Sequence, residues 1–349
     1  MPRPATATEL IDRAVAAGVT PGAVLAAGLR SAAPLLMHVA GDAQHDTAAQ
    51  RAMTAGTVFD LASLTKVVAT MPCLLQLAGR GEVGLDEPVR RYLPAFTGTG
   101  KDQVTARQLL THTSGLPDQR RYYQHLRDAG EIRAAALAEP LVARPGTVFC
   151  SSDVGFIILG ELAASVAGCG LDELTRDVVC APLGLERTRY LPPVVWADRI
   201  AATEPVLGAA KVGVVHDENA EALGGVAGHA GLFGTAADLA RYAAAWAWDG
   251  SPWAGLRDEA LRCQTEGLGG RRGLGWGLRG DKWDNMGDGW PASGAGHTGF
   301  TGTSLSVDPG SGLWAVLLTN AVHFGRGPEH SVVGLRKQVH AAVAAALLG

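Results

Sequence analysis

The pattern of hydrophobic and polar positions predicts a helix followed by strands at the start of the chain, and strands followed by a helix at its end. Near the start, an amphipathic helical pattern is followed by two apolar segments joined by a short polar turn, as in a β-hairpin. Near the end, two strand-like segments flank the turn signal Asp308-Pro309-Gly310-Ser311-Gly312. The predicted strands are 23–29, 34–40, 304–307 and 313–319, and the predicted helices are 8–17 and 332–348.

The middle of the chain has helical periodicity instead. Helices are predicted at 63–78, 105–110, 155–166, 171–179 and 235–248, with loops rich in glycine and proline between them. Strands at both ends around a helical middle indicate the α+β class, with one antiparallel sheet completed by both termini. We expect residues 1–60 and 295–349 to form the α/β sheet region, residues 61–294 to form an inserted, mostly helical region, and the active site to lie between them.

Composition excludes several classes of protein. The 349 residues are 47% hydrophobic and 18% charged, with a formal net charge of −4, which excludes a disordered chain and gives no basic footprint for nucleic acid. The apolar runs are too short to span a membrane. Neither nucleic acid nor a membrane is therefore an expected partner of this chain. The N-terminal residues lack the pattern of a secretory signal, and we therefore expect a cytoplasmic protein unless a leader precedes residue 1.

Ser63-Leu64-Thr65-Lys66 is the first candidate for chemistry, because it opens a predicted helix. A spacing of three residues places Ser63 and Lys66 on one helical face, and the backbone N–H of Ser63 lies where a helix favours negative charge. Serine needs a base to become a nucleophile, and a neutral lysine amine is one such base. Chance alone produces an S-x-x-K in roughly one such chain in six, so the pair is weak evidence by itself.

Two further segments contain groups suited to catalysis or binding. Ser151-Ser152-Asp153 follows a turn and precedes a helix, so its side chains either cap that helix or contribute to a site. His297-Thr298-Gly299 is a glycine-rich entry to a strand, where a ligand can lie against backbone N–H groups. A bulged or sharply turning edge strand is the alternative interpretation of the same residues.

Taken together, the three segments occur in the order S-x-x-K, S-x-D and H-T-G, which is similar to the ordered signature of serine β-lactamases and penicillin-binding proteins. Longer segments at 59–66, 105–117, 215–233 and 296–308 closely resemble the class C β-lactamase-like family, and the resemblance extends over roughly residues 8–345. It implies the β-lactamase/transpeptidase-like fold, in which helices flank an antiparallel sheet and the active site lies beside it.

The resemblance also implies a role for each of these residues. Ser63 would attack an ester or amide carbonyl and become acylated, and Lys66 would accept the serine proton. The oxyanion would lie between the backbone N–H groups of Ser63 and Phe300, next to Thr298 and Gly299 of the third segment.

Two positions depart from the family pattern. The second family motif is usually Tyr-x-Asn, but here Ser151 stands in place of the tyrosine and Asp153 in place of the asparagine. A serine hydroxyl relays a proton but is not a stable anion near neutral pH, and Asp153 is positioned to pair with Lys66 and keep it protonated. His297 stands where many members have lysine, and it is neutral or charged near pH 7 depending on its surroundings. We expect His112, His216 and His229 to make structural hydrogen bonds.

These observations predict a serine acyl-transfer enzyme that acts on a small ester or amide and passes the acyl group to water or to an amine or alcohol. Its expected partners are a small-molecule acyl donor and such an acceptor, with no cofactor and no metal, since no set of ligands has metal-binding spacing. Two alternatives remain open. One is a β-lactamase or D-alanyl-D-alanine peptidase whose leader has been removed, and the other is a catalytically weak binding or scaffold protein on the same fold.

Overall fold

The computed structural model of the protein describes residues 5–46, 49–248 and 253–349. The strands are β1 (Gly22–Leu29), β2 (Leu36–His45), β3 (Gln50–Ala52), β4 (Val58–Asp60), β5 (Arg189–Tyr190), β6 (Thr203–Val206), β7 (Ala209–Lys211), β8 (Leu232–Thr235), β9 (Gly277–Leu278), β10 (Ala295–Thr298), β11 (Ser304–Asp308) and β12 (Leu313–Thr319). The α-helices are α1 (Ala7–Ala16), α2 (Met71–Gly79), α3 (Ala106–Leu110), α4 (Ala129–Ala138), α5 (Asp153–Ala167), α6 (Leu171–Thr175), α7 (Ala181–Leu183), α8 (Glu218–Ala222), α9 (Ala236–Ala247), α10 (Ala254–Leu261) and α11 (Val333–Leu348).

Both chain ends build the main sheet, as the sequence predicts. Within the described ranges this sheet has seven antiparallel strands in the order β3-β2-β1-β12-β11-β10-β9. At its centre β1 pairs with β12, with Ala23 opposite Thr319 and Leu29 opposite Leu313. The predicted hairpins are also present, since β1 pairs with β2 and β11 pairs with β12. The protein therefore has the predicted α+β fold.

Side chains of the central strands alternate between two hydrophobic cores, because successive residues of a strand point to opposite faces. Val24 and Ala26 of β1 belong to the large core that includes the helical region, whereas Ala23 and Leu25 belong to a smaller core formed with α1 and α11. Helix α9 packs on β1, β11 and β12, and β9 joins the sheet edge, although both come from the predicted helical region 61–294. The division of the chain into a sheet region and a helical region stays a prediction.

The helix that follows Ser63 differs in detail from the predicted 63–78. It contains a wider, π-helical turn at Lys66–Thr70, closed by Met71 N donating to Lys66 O, and continues as α2. A second π-helical turn, Arg176–Cys180, precedes α7. In each case a proline, Pro72 or Pro182, stands two residues after the turn. Because proline has no N–H to donate back along the helix, the regular ladder is interrupted at these points.

Apolar helices of the central region are part of the core. Most residues of α5 are buried, and it packs against α2, α3, α4 and α6. In the described part of the chain no single helix has the length and apolarity to cross a membrane, and one sharply bent pair, Asp153–Ala167 with Leu171–Leu183, meets the criteria only when combined.

His340 on α11 makes the stability of the fold sensitive to acid. It is fully buried, shares a hydrogen bond with Ser304, and burial together with nearby Arg336 lowers its pKa to about 3. The pKa of histidine in an unfolded chain is about 6.5, so the unfolded state binds the extra proton between these two values. We therefore expect the contribution of His340 to stability to be complete above about pH 6.5 and to fall as the pH falls, by about 2 kcal/mol between pH 7.5 and 5.0.

Urea unfolding of the wild type, His340→Gln and His125→Gln at these two pH values tests this expectation. His340→Gln should lose part of the pH dependence, whereas His125→Gln, which changes an exposed histidine, should keep the wild-type difference. An unaltered pH dependence in His340→Gln would show that another group causes the acid sensitivity.

Candidate active site

Ser63 lies directly after a strained turn that a buried carboxylate holds in place. Ala62 has a φ of 47°, a conformation that residues with a Cβ rarely adopt. Asp60 accepts hydrogen bonds from Ala62 N at 2.8 Å and from His216 N at 2.6 Å. Burial raises the pKa of Asp60, and the two backbone donors act in the opposite direction. Asp60 thus fixes the backbone from which Ser63 projects.

Lys66 contacts Ser63 as the spacing predicts. Its side chain is 4% exposed, and Nζ donates to Ser63 Oγ at 2.7 Å. The same Nζ lies 2.7 Å from Asp153 Oδ1, so the predicted ion pair between Lys66 and Asp153 is present. A third contact, to His229 O at 3.5 Å, holds the amine from the side of the loop before β8. Serine, lysine and carboxylate are therefore joined in one chain of polar contacts.

The start of α5 explains how Asp153 reaches Lys66. Ser152 caps this helix, because its Oγ accepts from Gly155 N at 3.0 Å and donates to Pro117 O at 2.6 Å. Ser152 N also donates to His112 Nδ1 at 2.9 Å. The capping interpretation is thus confirmed for Ser152, and the next residue, Asp153, presents its carboxylate to the site.

Ser151 is placed differently from the other predicted site residues. It is exposed and lines the cleft, but it has no hydrogen bond within the described residues. Its short side chain therefore makes no such contact to Ser63 or Lys66, and the role of Ser151 in proton transfer stays a prediction.

The third segment lies against the turn that carries Ser63. His297 and Thr298 end β10, and Gly299 N donates to Thr303 O at 2.8 Å. A Cβ on Gly299 would lie 2.4 Å from Leu61 O, so only glycine fits this close approach. Thr303 Oγ1 donates to the same carbonyl at 3.1 Å. These contacts at Leu61 O thus join the segment after β10 to the turn that carries Ser63.

Two backbone amides are available where the resemblance places the oxyanion. Within the described residues, neither Ser63 N nor Phe300 N donates a hydrogen bond to another protein group. The ring of Phe300 is 61% exposed and stacks on His216, and the guanidinium of Arg326 lies 5.7 Å from the ring centre. The two N–H groups can therefore donate to a ligand.

The surroundings of His297 favour its neutral form. Burial lowers its pKa to about 3, and the nearby cations Lys66 and Arg272 act in the same direction. Its Nδ1 lies 2.9 Å from Thr298 O, which identifies Nδ1–H as the donor because a carbonyl only accepts. Of the two states that the sequence allows, the structure favours the neutral one, so His297 is not a fixed positive charge.

A cleft of about 850 Å³ brings the predicted residues together. The predicted site residues that line it are Ser63, Lys66, Ser151, Asp153, His297, Thr298, Gly299 and Phe300. Five of the other lining residues are arginine or lysine, namely Arg272, Lys282, Arg326, Arg336 and Lys337. No cluster of His, Cys, Asp or Glu suited to a metal ion exists in the described ranges.

The structural roles expected of three histidines are confirmed. His112 accepts from Ser152 N, His229 Nε2 lies 2.8 Å from Asp217 Oδ1, and His216 Nε2 lies 3.1 Å from Glu204 Oε2. Burial opposes ionisation of Asp217, but the charge and hydrogen bond of His229 hold its pKa well below the usual range.

Sequence reasoning did not single out Asp60 or Arg336, although both contact the site. Asp60 lies within the family-like segment 59–66, so its position three residues before Ser63 was a usable signal. Arg336 lies far along the chain on α11 and donates to Gly299 O at 2.6 Å. No motif marks it, and only the packing of α11 against the sheet brings it there.

Comparisons with known proteins agree with the fold. A curated relative in Escherichia coli K12, named "Putative D-alanyl-D-alanine carboxypeptidase", is 31% identical over 307 residues, covering 77% of this chain and 70% of the relative. The structure of "EstCE1, a hydrolase with promiscuous acyltransferase activity" superposes with a TM-score of 0.77 at 22% identity, covering 97% of both chains. Unliganded simvastatin synthase (LovD) from Aspergillus terreus superposes with a TM-score of 0.73 at 20% identity, also covering 97% of both chains. The family model described as Beta-lactamase matches residues 7–334, and the chain therefore belongs to the β-lactamase family.

Proposed function

We propose that the protein is a serine acyl-transfer enzyme that forms an acyl-enzyme on Ser63 from a small ester or amide. The single observation that carries this proposal is the 2.7 Å contact between Lys66 Nζ and Ser63 Oγ inside a cleft that Phe300 also lines. Nucleophile and base within hydrogen-bond reach, next to free amide donors, is the arrangement that acyl transfer needs. Membership of the β-lactamase family and the similarity to EstCE1 support the proposal.

The first half of the reaction transfers the acyl group to the enzyme. Ser63 Oγ attacks the carbonyl carbon while neutral Lys66 Nζ takes the hydroxyl proton. The carbonyl oxygen becomes an oxyanion that Ser63 N and Phe300 N stabilise by hydrogen bonds. The bond to the leaving alcohol or amine then breaks, and the leaving group receives the proton from Lys66.

The second half returns Ser63 to its starting state. Water, an alcohol or an amine attacks the acyl carbon and gives a proton to Lys66. The bond between the acyl carbon and Ser63 Oγ breaks, and Lys66 returns the proton to Oγ. In both halves of the reaction Lys66 accepts a proton as the neutral amine. The ion pair with Asp153 favours the charged amine, so it opposes both steps.

Intact mass spectrometry with activated esters, thioesters and β-lactams tests the proposal. Brief exposure should add one acyl mass to the wild type. Decay of this adduct in buffer indicates a hydrolase, whereas decay that requires an added amine or alcohol indicates a transacylase. No adduct from any donor contradicts the proposal and favours a binding or scaffold protein.

A second candidate function is D-alanyl-D-alanine carboxypeptidase activity, favoured by the 31% identity to the Escherichia coli relative. The residues available for it are the same, because release of D-alanine also passes through an acyl-serine. Incubation with a diacetylated L-Lys-D-Ala-D-Ala peptide separates the two candidates, since only the peptidase releases D-alanine at a rate comparable to its rate on esters.

A further inference from the structure

Arg336 is a buried cation that touches the strand end beside Ser63. It lies in the first turn of α11, is 8% exposed and lines the cleft. Its Nη2 donates to Gly299 O at 2.6 Å, and its Nε has no hydrogen-bond partner. Burial alone lowers its pKa to about 10, and no ion pair to it is present among the described residues. Burying a guanidinium without a carboxylate partner costs folding free energy. A role in the site would explain why the chain keeps a charge there, bound to one backbone carbonyl.

The carbonyl that Arg336 contacts belongs to the peptide that supplies a candidate oxyanion donor. Gly299 C=O and Phe300 N–H are the two ends of one planar amide, so whatever orients one end orients the other. A charged donor on the carbonyl also withdraws electron density from the amide and strengthens its N–H as a donor. Gly299 O accepts a second, neutral hydrogen bond from Gly302 N at 3.1 Å, which keeps the turn closed.

We propose that Arg336 is a positioning residue for the oxyanion donor, holding and polarising the Gly299–Phe300 peptide so that Phe300 N–H meets the developing negative charge. The inference rests on the proposed function for the identity of that charge. It extends the site to α11, outside the three motifs. Arg336 acts through the backbone and makes no contact with reacting atoms.

Lys337 offers a matched control for this role. It is the next residue on α11, lines the same cleft and has the same charge, but it makes no hydrogen bond to Gly299 in the described structure. If Arg336 attracted an anionic group of the substrate, it would act through its positive charge in the cleft, and Lys337 contributes a positive charge there as well. An effect through the Gly299–Phe300 peptide is specific to Arg336 and independent of substrate charge.

Kinetics of Arg336→Met, Arg336→Lys and Lys337→Met with p-nitrophenyl acetate, a neutral ester, and mono-p-nitrophenyl succinate, an anionic one, test the proposal. Removing a whole oxyanion donor typically costs about 100- to 1,000-fold in kcat. Weakening one should cost Arg336→Met about 10- to 100-fold, equally for both esters, with KM within about 2-fold. Arg336→Lys should recover part of the loss, and Lys337→Met should stay near wild type with the neutral ester. A loss confined to the anionic ester, or an equal loss in Lys337→Met, overturns the proposal.

Nuclear magnetic resonance gives a readout that does not depend on activity. Gly-Phe pairs occur in this sequence only at 155–156 and 299–300, so carbonyl-13C glycine with 15N phenylalanine selects the amides of Phe156 and Phe300. In Arg336→Met the Phe300 signal should move and that of Phe156 should not, whereas Lys337→Met should leave both in place. An unmoved Phe300 signal contradicts the assignment of Arg336, while a wild type that forms no acyl adduct contradicts the proposed function, so the two failures are distinguishable.

Discussion

Ser63→Ala should abolish acyl transfer, lowering kcat for an activated ester by a factor on the order of 10⁴ to 10⁶. Ser63 Oγ is the hydroxyl that Lys66 contacts at 2.7 Å, and alanine leaves the base with nothing to deprotonate. The oxyanion donors remain in this variant, so some rate above that of water alone should survive. The measurement is the initial rate of p-nitrophenyl acetate hydrolysis, corrected for the reaction without enzyme.

Ser331→Ala is the matched control, because Ser331 also lines the cleft and is exposed. It should keep wild-type activity and the acyl adduct. Thermal unfolding of both variants should stay close to that of the wild type. Activity that persists in folded Ser63→Ala would place the nucleophile elsewhere.

Asp153→Asn should raise the rate at which Ser63 is acylated at pH 7, by about 10-fold. Asp153 Oδ1 lies 2.7 Å from Lys66 Nζ, and a negative charge at this distance opposes the neutral amine that is the proposed base. An amide of the same shape fills the same space without the charge. The measurement is the rate at which an activated ester adds one acyl mass to the variant and to the wild type.

Asp284→Asn provides the comparison for Asp153→Asn. Asp284 also lines the cleft, but its carboxylate binds Arg279 and not Lys66, so its replacement should leave the acylation rate unchanged. An acylation rate that falls or stays unchanged in Asp153→Asn would contradict a restraining role of the Asp153 carboxylate.

The sequence predicts most of the sheet because local rules determine its strands. The apolar segment 23–29 and the turn Asp308–Gly312 have strong local patterns, and β1 and the β11–β12 hairpin lie where these patterns place them. The π-helical turn at Lys66–Thr70 was not foreseen, since the periodicity of a helix does not show a local widening before a proline.

The same limit applies to the site: contacts between residues close in sequence are predictable, and contacts that depend on the folded chain are not. Ser63 directly precedes the helix that holds Lys66, and the spacing of three residues is enough to predict their contact. The charge state of His297 depends on burial and on Arg272, which is 25 residues away in the sequence, so only the folded structure decides it. Arg336 approaches Gly299 because α11 packs on the sheet, and no pattern around either residue indicates this contact.

The pairing of β1 with β12 has a consequence for synthesis of the protein. Gly22 N donates to Asn320 Oδ1 across 298 positions of the chain, and Ala23 pairs with Thr319, so the centre of the sheet forms only when nearly the whole chain has left the ribosome. Ser63 emerges early, but the segment that carries His297 and Phe300 is made much later. Contacts this distant in sequence form slowly. A growing or prematurely ended chain therefore has Ser63 and Lys66 without the backbone N–H of Phe300, and the complete set of candidate site residues assembles only late in synthesis.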